Sequence, residues 1–154
     1  MPRILASDAD RAAFADILQL EGLYPATFDR GDVEGWADLF SEDGVFDHLA
    51  LGDYPGALIT GRAELVQFAR SIDQMWQGVH APGVPGIEID GDKAQAFVPF
   101  SWTGVRKGAN GHVASRRVVG FYEVEYVRTS AGWRMSRRKE TGTSYVTAED
   151  FNLR

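Results

Sequence analysis

The stretch VVGFYEVEYVRTSAGWRMSRR, Val118–Arg138, decides the fold. Apolar and charged residues alternate up to Ser130-Ala131-Gly132 and again from Trp133, which predicts two long antiparallel strands joined by a tight turn. Working outward, the first strand extends back through VASRRVV and the second forward through KETGTSYV. Upstream, AQAFVPFSWTGV reads as another strand, held between the turns Asp90-Gly91-Asp92 and KGANGH, and Ile87 and Ile89 alternate before it. Everything after His80 therefore reads at period two, and everything before it is organised differently.

From Ser7, SDADRAAFADILQLEGLY offers a capping residue, acids in the first turn, and Ala13, Ile17, Leu20 and Tyr24 at helical spacing. Pro25 is expected to kink this helix after about Leu20, Gly31 to stop it, and Asp32 to cap a second helix, VEGWADLF. Thr60 and Gly61 open a third, RAELVQFARSIDQMW, with Leu65, Phe68, Ala69, Ile72 and Trp76 on one stripe, leading straight to His80. Three helices followed by strands predict an α+β domain, with the helices covering one face of a curved, mainly antiparallel sheet and a pocket between the layers. No linker or repeat divides residues 1–154, so a single domain is expected.

The 154 residues contain no cysteine, which excludes disulfides, thiol nucleophiles and zinc-thiolate sites. A net charge of -6 argues against nucleic acid as a partner, because phosphate contacts need a basic face. No apolar run approaches a membrane span and the first residues lack a signal-type core, so the expected location is cytoplasmic. There is no GxSxG elbow, no HExxH helix and no lysine-bearing phosphate loop. No metal and no nucleotide cofactor are expected.

The order FDRGDVEGWADLFSEDGVFD, a GRAELVQF helix, His80, IEIDGDKAQA and GFYEVEYVRTSAGWRMSRR resembles the nuclear transport factor 2-like superfamily, and within it the SnoaL-like group. The resemblance covers roughly residues 10 to 140. It implies a cone-shaped α+β barrel around a deep, mostly apolar pocket, as in ketosteroid isomerase, scytalone dehydratase, polyketide cyclases and bile acid dehydratases. It further implies a cofactor-independent lyase or isomerase acting on a small hydrophobic cyclic compound, or else a non-catalytic binding or accessory module on the same frame.

Several site residues come with the resemblance. Tyr24 matches a phenol that hydrogen-bonds the substrate oxygen, and Asp47 an aspartate that removes a proton beside a carbonyl. His80 matches the general base of the dehydratases, and Asp29 a pocket carboxylate able to orient it. Where the isomerase has a third polar group, the strand from Val98 to Val105 offers only Ser101 and Thr103. His112, just past the KGANG turn, falls at the rim.

Asp43-Gly44 reads as the turn into the first strand, so alternation sends Val45, Asp47 and Leu49 to one face and Phe46 and His48 to the other. The resemblance makes Asp47 the inward member and His48 an outside or interface residue. In the last strand Trp133, Met135 and Arg137 share a face, which would carry Arg137 inward toward an anionic ligand oxygen. The alternative is pairing of these arginines with Glu123 and Glu125 on a solvated face. Phe28, Trp36, Phe46, Trp76, Phe100 and Trp102 are candidate aromatic lining. Val119, Phe121 and Tyr126 form an apolar outer face, and a homodimer through the sheet is expected.

Overall fold

A computed structural model describes residues 7–51, 55–107 and 113–149. His112 and the turn at 108–112 lie outside the described residues. Helix α1, Asp8–Phe28, starts where the Ser7 hydroxyl accepts from the Asp10 amide at 3.0 Å, and it buries Ala13, Ile17, Leu20, Glu21 and Tyr24. It runs through Pro25 and ends shortly before Gly31. Proline removes only the amide that would bond the Glu21 carbonyl, and one turn later the Asp29 amide still donates to the Pro25 carbonyl at 2.9 Å. Asp32 caps α2, Val33–Ala37, through the Gly35 amide at 3.0 Å; this helix stops three residues short of Phe40, which already belongs to a strand.

Strand β1, Phe40–His48, is followed by β2, Ala57–Thr60, and helix α3, Gly61–Met75. The Glu64 carboxylate accepts from the Thr60 amide at 2.9 Å, which closes the open start of α3. Then come β3, Gln77–Pro82; β4, Gly86–Asp90; β5, Lys93–Lys107; β6, Val113–Thr129; and β7, Gly132–Glu149. The sheet order is β2-β1-β7-β6-β5-β3, with β4 also paired to β5. Only β1 and β7 run parallel; every other pairing is antiparallel. The sheet curves around the helices without closing, since β2 and β3 remain its two ends. His80 thus lies inside an edge strand, not at the end of the third helix.

Even-numbered residues of β5 and β6 face the helices: Ala94, Ala96, Val98 and Phe100, and Val118, Tyr122, Val124 and Tyr126, are all buried. Tyr126 therefore leaves the proposed outer apolar face, which keeps Val119 and Phe121. In β7, Trp133 and Met135 point inward, but two irregularities then change the phase. Glu125 pairs with Arg137 while Tyr126 pairs with Met135, so Ser136 is an extra residue; Val119 pairs with Ser144 while Gly120 pairs with Gly142, so Thr143 is another. After Ser136 the inward residues are Arg138 and Glu140, and after Thr143 it is Tyr145, half-exposed, that shares a face with Val118.

Trp36 is fully buried, with the rings of Tyr24, Phe28, Phe40, Phe46 and Phe68 around it at centroid distances of 5.1–6.2 Å. No helix among the described residues is long and apolar enough to cross a membrane.

Candidate active site

Between α1, α3 and the sheet lies a cavity of about 80 Å³, several times the roughly 10–15 Å³ that one water needs. Tyr24 and Phe28 of α1, Phe68 and Ile72 of α3, and Trp76 and Trp102 supply much of its apolar wall. Into this wall are set two histidines, each tied to a carboxylate.

The first is His80. Its amide donates to Asp29 Oδ2 at 2.8 Å and its Nδ1 lies 2.6 Å from Asp29 Oδ1. Asp29 caps the C-terminus of α1, so the end of the first helix and the edge of the sheet are joined here. A carboxylate only accepts, so Nδ1 carries a proton, and in the neutral imidazole Nε2 then holds the lone pair. No hydrogen bond among the described residues occupies that nitrogen. Tyr24, Phe28, Phe100 and Trp102 surround the ring at 5.5–6.5 Å.

The second is His48, whose Nδ1 lies 2.6 Å from Glu140 Oε2, with both side chains largely buried. Its ring stacks on Phe46 at 5.5 Å and meets Phe68 edge-on. The strand alternation is as expected, but its sense is the opposite of what the resemblance selects. Phe46, only 3% exposed, belongs to the core, and it takes His48 inward with it. Asp47 faces outward, where its carboxylate accepts from Arg137 Nη2 at 2.8 Å with both side chains substantially exposed. Arg137 is outside for a related reason: the extra residue at Ser136 reverses the face, and Arg138 is the arginine turned inward.

Arg138 is 1% exposed and donates to both oxygens of Glu21, at 2.7 and 3.1 Å. Its guanidinium sits between the rings of Tyr24 and Tyr122, 3.8 and 3.9 Å from their centroids, and the Tyr126 hydroxyl donates to Glu21 at 2.5 Å. Burial holds the Tyr24 phenol well above its ordinary value, against the opposing pull of Arg138, and burial likewise raises Tyr122 and Tyr126. For Arg138 burial alone would favour the neutral form, but the Glu21 carboxylate and the neighbouring tyrosines outweigh it and keep the guanidinium charged. Tyr24 thus stands in the cavity as a neutral hydroxyl, backed by a cation.

Of the residues expected from sequence, Tyr24, Phe28, Phe46, Trp76, His80 and Trp102 line the cavity and Asp29 supports His80. Trp36 and Phe100 are core residues that do not line it; Phe100 stacks on Tyr122 at 4.1 Å. Ser101 and Thr103 are odd-numbered members of β5 and face away. His48, Tyr122, Glu140, Arg138 and Arg116 were not anticipated. For Tyr122 and Arg116 the even-numbered alternation of β6 was a usable signal; for Arg138 and Glu140 no sequence signal marks the bulge. Among the described residues no group of three or more histidines and carboxylates converges as a metal site.

A SnoaL-like domain profile matches residues 9–139. The chain belongs to the SnoaL-like domain family. This SnoaL-like chain is similar in structure to a hexachlorocyclohexane dehydrochlorinase, LinA type 2, with a TM-score of 0.81, 18% identity, and coverage of 96% of this chain and 97% of that one. It is similar also to a Novosphingobium aromaticivorans protein provisionally described as a scytalone dehydratase, with a TM-score of 0.77, 18% identity, and 97% and 94% of the two chains covered. A third similar structure is Rv3472 from Mycobacterium tuberculosis, of unknown function, at a TM-score of 0.72 and 25% identity, covering 88% of this chain and 74% of that one. These likenesses establish the nuclear transport factor 2-like α+β fold. No curated protein matches the sequence.

Proposed function

We propose that this SnoaL-like chain is a cofactor-independent lyase or isomerase that acts on a small hydrophobic cyclic compound, with His80 as its general base. The observation that carries the reading is the doubly bonded Asp29–His80 pair in the wall of an apolar cavity, with the Tyr24 ring 5.9 Å from the imidazole. Asp29 fixes both the tautomer and the tilt of the ring, so Nε2 can take a proton from a carbon next to a carbonyl. The resulting enolate oxygen needs a donor that stays protonated, and the buried phenol of Tyr24 is suited to that. The electron pair then either expels a leaving group on the adjacent carbon, which is elimination, or recaptures a proton elsewhere, which is isomerisation. The similar dehydrochlorinase and dehydratase structures are named for eliminations, which favours the first course.

The test is a panel of cyclic hydroxy ketones, halides and unsaturated ketones assayed with three variants. His80→Ala should lower turnover by roughly 10²–10⁴-fold and Asp29→Ala by less, while Asp47→Asn should leave it unchanged, since Asp47 only pairs with Arg137 outside. Full activity in His80→Ala would overturn the assignment of the base. Saturable binding with no turnover across the panel would instead support a non-catalytic ligand-binding module.

We further propose that a second copy covers the outer sheet face. Phe97 and Phe121 stack there at 4.8 Å, and Phe97 is 50% exposed. Sedimentation at micromolar concentration should show twice the chain mass; monomers alone would contradict it.

A further inference from the structure

Arg116 is a cavity residue that the foregoing chemistry leaves without a task. It projects from β6 into the same cavity as His80. Its guanidinium carbon lies 4.7 Å from the Trp76 ring centroid and 5.6 Å from that of the half-exposed Tyr145, which the irregularity at Thr143 put on the same face as Val118. Its Nε is buried with no hydrogen-bond partner. Among the described residues no carboxylate forms an ion pair with it, although the chain carries 22 acidic residues against 16 basic ones.

Glu140, the carboxylate that lines the cavity, and Asp29, the one that holds His80, are both already committed. Asp29 holds His80 from the C-terminus of α1. Glu140 holds His48 and pairs with Tyr122, six positions along β6 from Arg116, or about 20 Å along the strand. A guanidinium stacked against two aromatic rings, with its buried Nε unpaired, is a half-built anion site.

We propose that Arg116 binds a carboxylate carried by the ligand of this cavity. The charge argues for a carboxylate over a phosphate. One guanidinium matches one negative charge, whereas a phosphate monoester brings close to two at neutral pH and would leave the remainder in an apolar wall. The register gives the ligand's dimensions. His80 pairs with Trp102, Trp102 with Val118, and Arg116 is the next inward residue after Val118. The two side chains therefore start two strands, about 10 Å, apart across the sheet and about 7 Å apart along it. A ring carrying its carboxylate on the side away from the acidic carbon fits between them. Arg116 then serves as a remote binding determinant: it fixes which face of the ring meets His80 and does not touch the reacting carbon. This deepens the preceding reading, since it takes the same cavity as the ligand site, yet binding can be measured without turnover.

The experiment titrates benzoate and neutral benzamide separately into the full chain, following tryptophan fluorescence, which Trp76 and Trp102 in the wall should report, and calorimetry. It is repeated in Arg116→Met, Arg116→Lys and His80→Ala. Benzoate should bind more tightly than benzamide. Arg116→Met should weaken benzoate roughly ten- to a hundredfold and leave benzamide unchanged, and Arg116→Lys should fall between, because an ammonium keeps the charge but not the planar fork. His80→Ala should still bind benzoate, so failure of the catalytic reading and failure of the anion site give different results. If Arg116→Met does not fold, Arg116→Lys alone decides by the ratio of the two affinities. Equal binding of benzoate and benzamide by the parent chain, no benzoate binding at all, or benzoate affinity independent of residue 116 would overturn the proposal and leave Arg116 an aromatic-stacked structural cation.

Discussion

Arg138 keeps its charge in the middle of the core because four groups surround it: two oxygens of Glu21 in front, and the faces of Tyr24 and Tyr122 above and below. Both partners are below 5% exposed, so solvent does not screen the pair. Such a pair contributes little net stability relative to a well-packed apolar replacement, but removing one member strands the other charge. Glu21→Gln should accordingly destabilise the chain by about 3–5 kcal/mol in urea unfolding. The double variant Glu21→Leu with Arg138→Met should lose less than the sum of its single changes. Strict additivity would mean that the two residues do not act as one unit. The consequence for the site is positional: Arg138 packs on the Tyr24 ring and fixes it in the cavity wall.

At the scale of elements, close approach rather than propensity shapes the wall. Trp102 of β5 lies flat over two glycines, Gly104 two residues along its own strand and Gly78 on the neighbouring β3, and a Cβ at either would run into the indole. Gly104→Ala should therefore push Trp102 out of the wall, at a cost of about 1–3 kcal/mol, with a shift in tryptophan emission. Gly86→Ala, where a methyl meets nothing within 4 Å, should stay within about 0.5 kcal/mol of the parent. An unchanged emission maximum in Gly104→Ala would contradict this account. The bulges in β7 are the other decisive element-level feature, since each reverses which side chains share the helix-facing side of the sheet. Ser136 exchanges Arg137 for Arg138 and so puts Glu140 in the cavity wall, and Thr143 puts Tyr145 beside Arg116.

For the molecule as a whole, the buried phenols set the alkaline limit. Tyr24, Tyr122 and Tyr126 are all raised from the ordinary 10.0, chiefly by burial. Below pH 10 the folded and unfolded chains both hold these protons and stability is undiminished. Above it the unfolded chain ionises first, so stability falls as pH rises, by up to about 1.4 kcal/mol per pH unit for each phenol. Melting temperature should drop steeply above pH 10, and tyrosinate absorbance from these three should appear together with loss of far-UV circular dichroism; ionisation with the fold intact would refute it. The sequence alone determined the three helices, the long antiparallel strands and their alternation, because a period of 3.6 or of 2 is written in the order of apolar residues. Read through its resemblance, it also brought Tyr24, Asp29 and His80 to one place. Only the tertiary structure decided that His48 faces in and Asp47 out, that Arg138 replaces Arg137, and that Trp36 and Phe100 are packing. Alternation fixes that neighbours oppose one another but not which face meets the core. That choice is made by strand register and by bulges, which depend on residues distant in the chain.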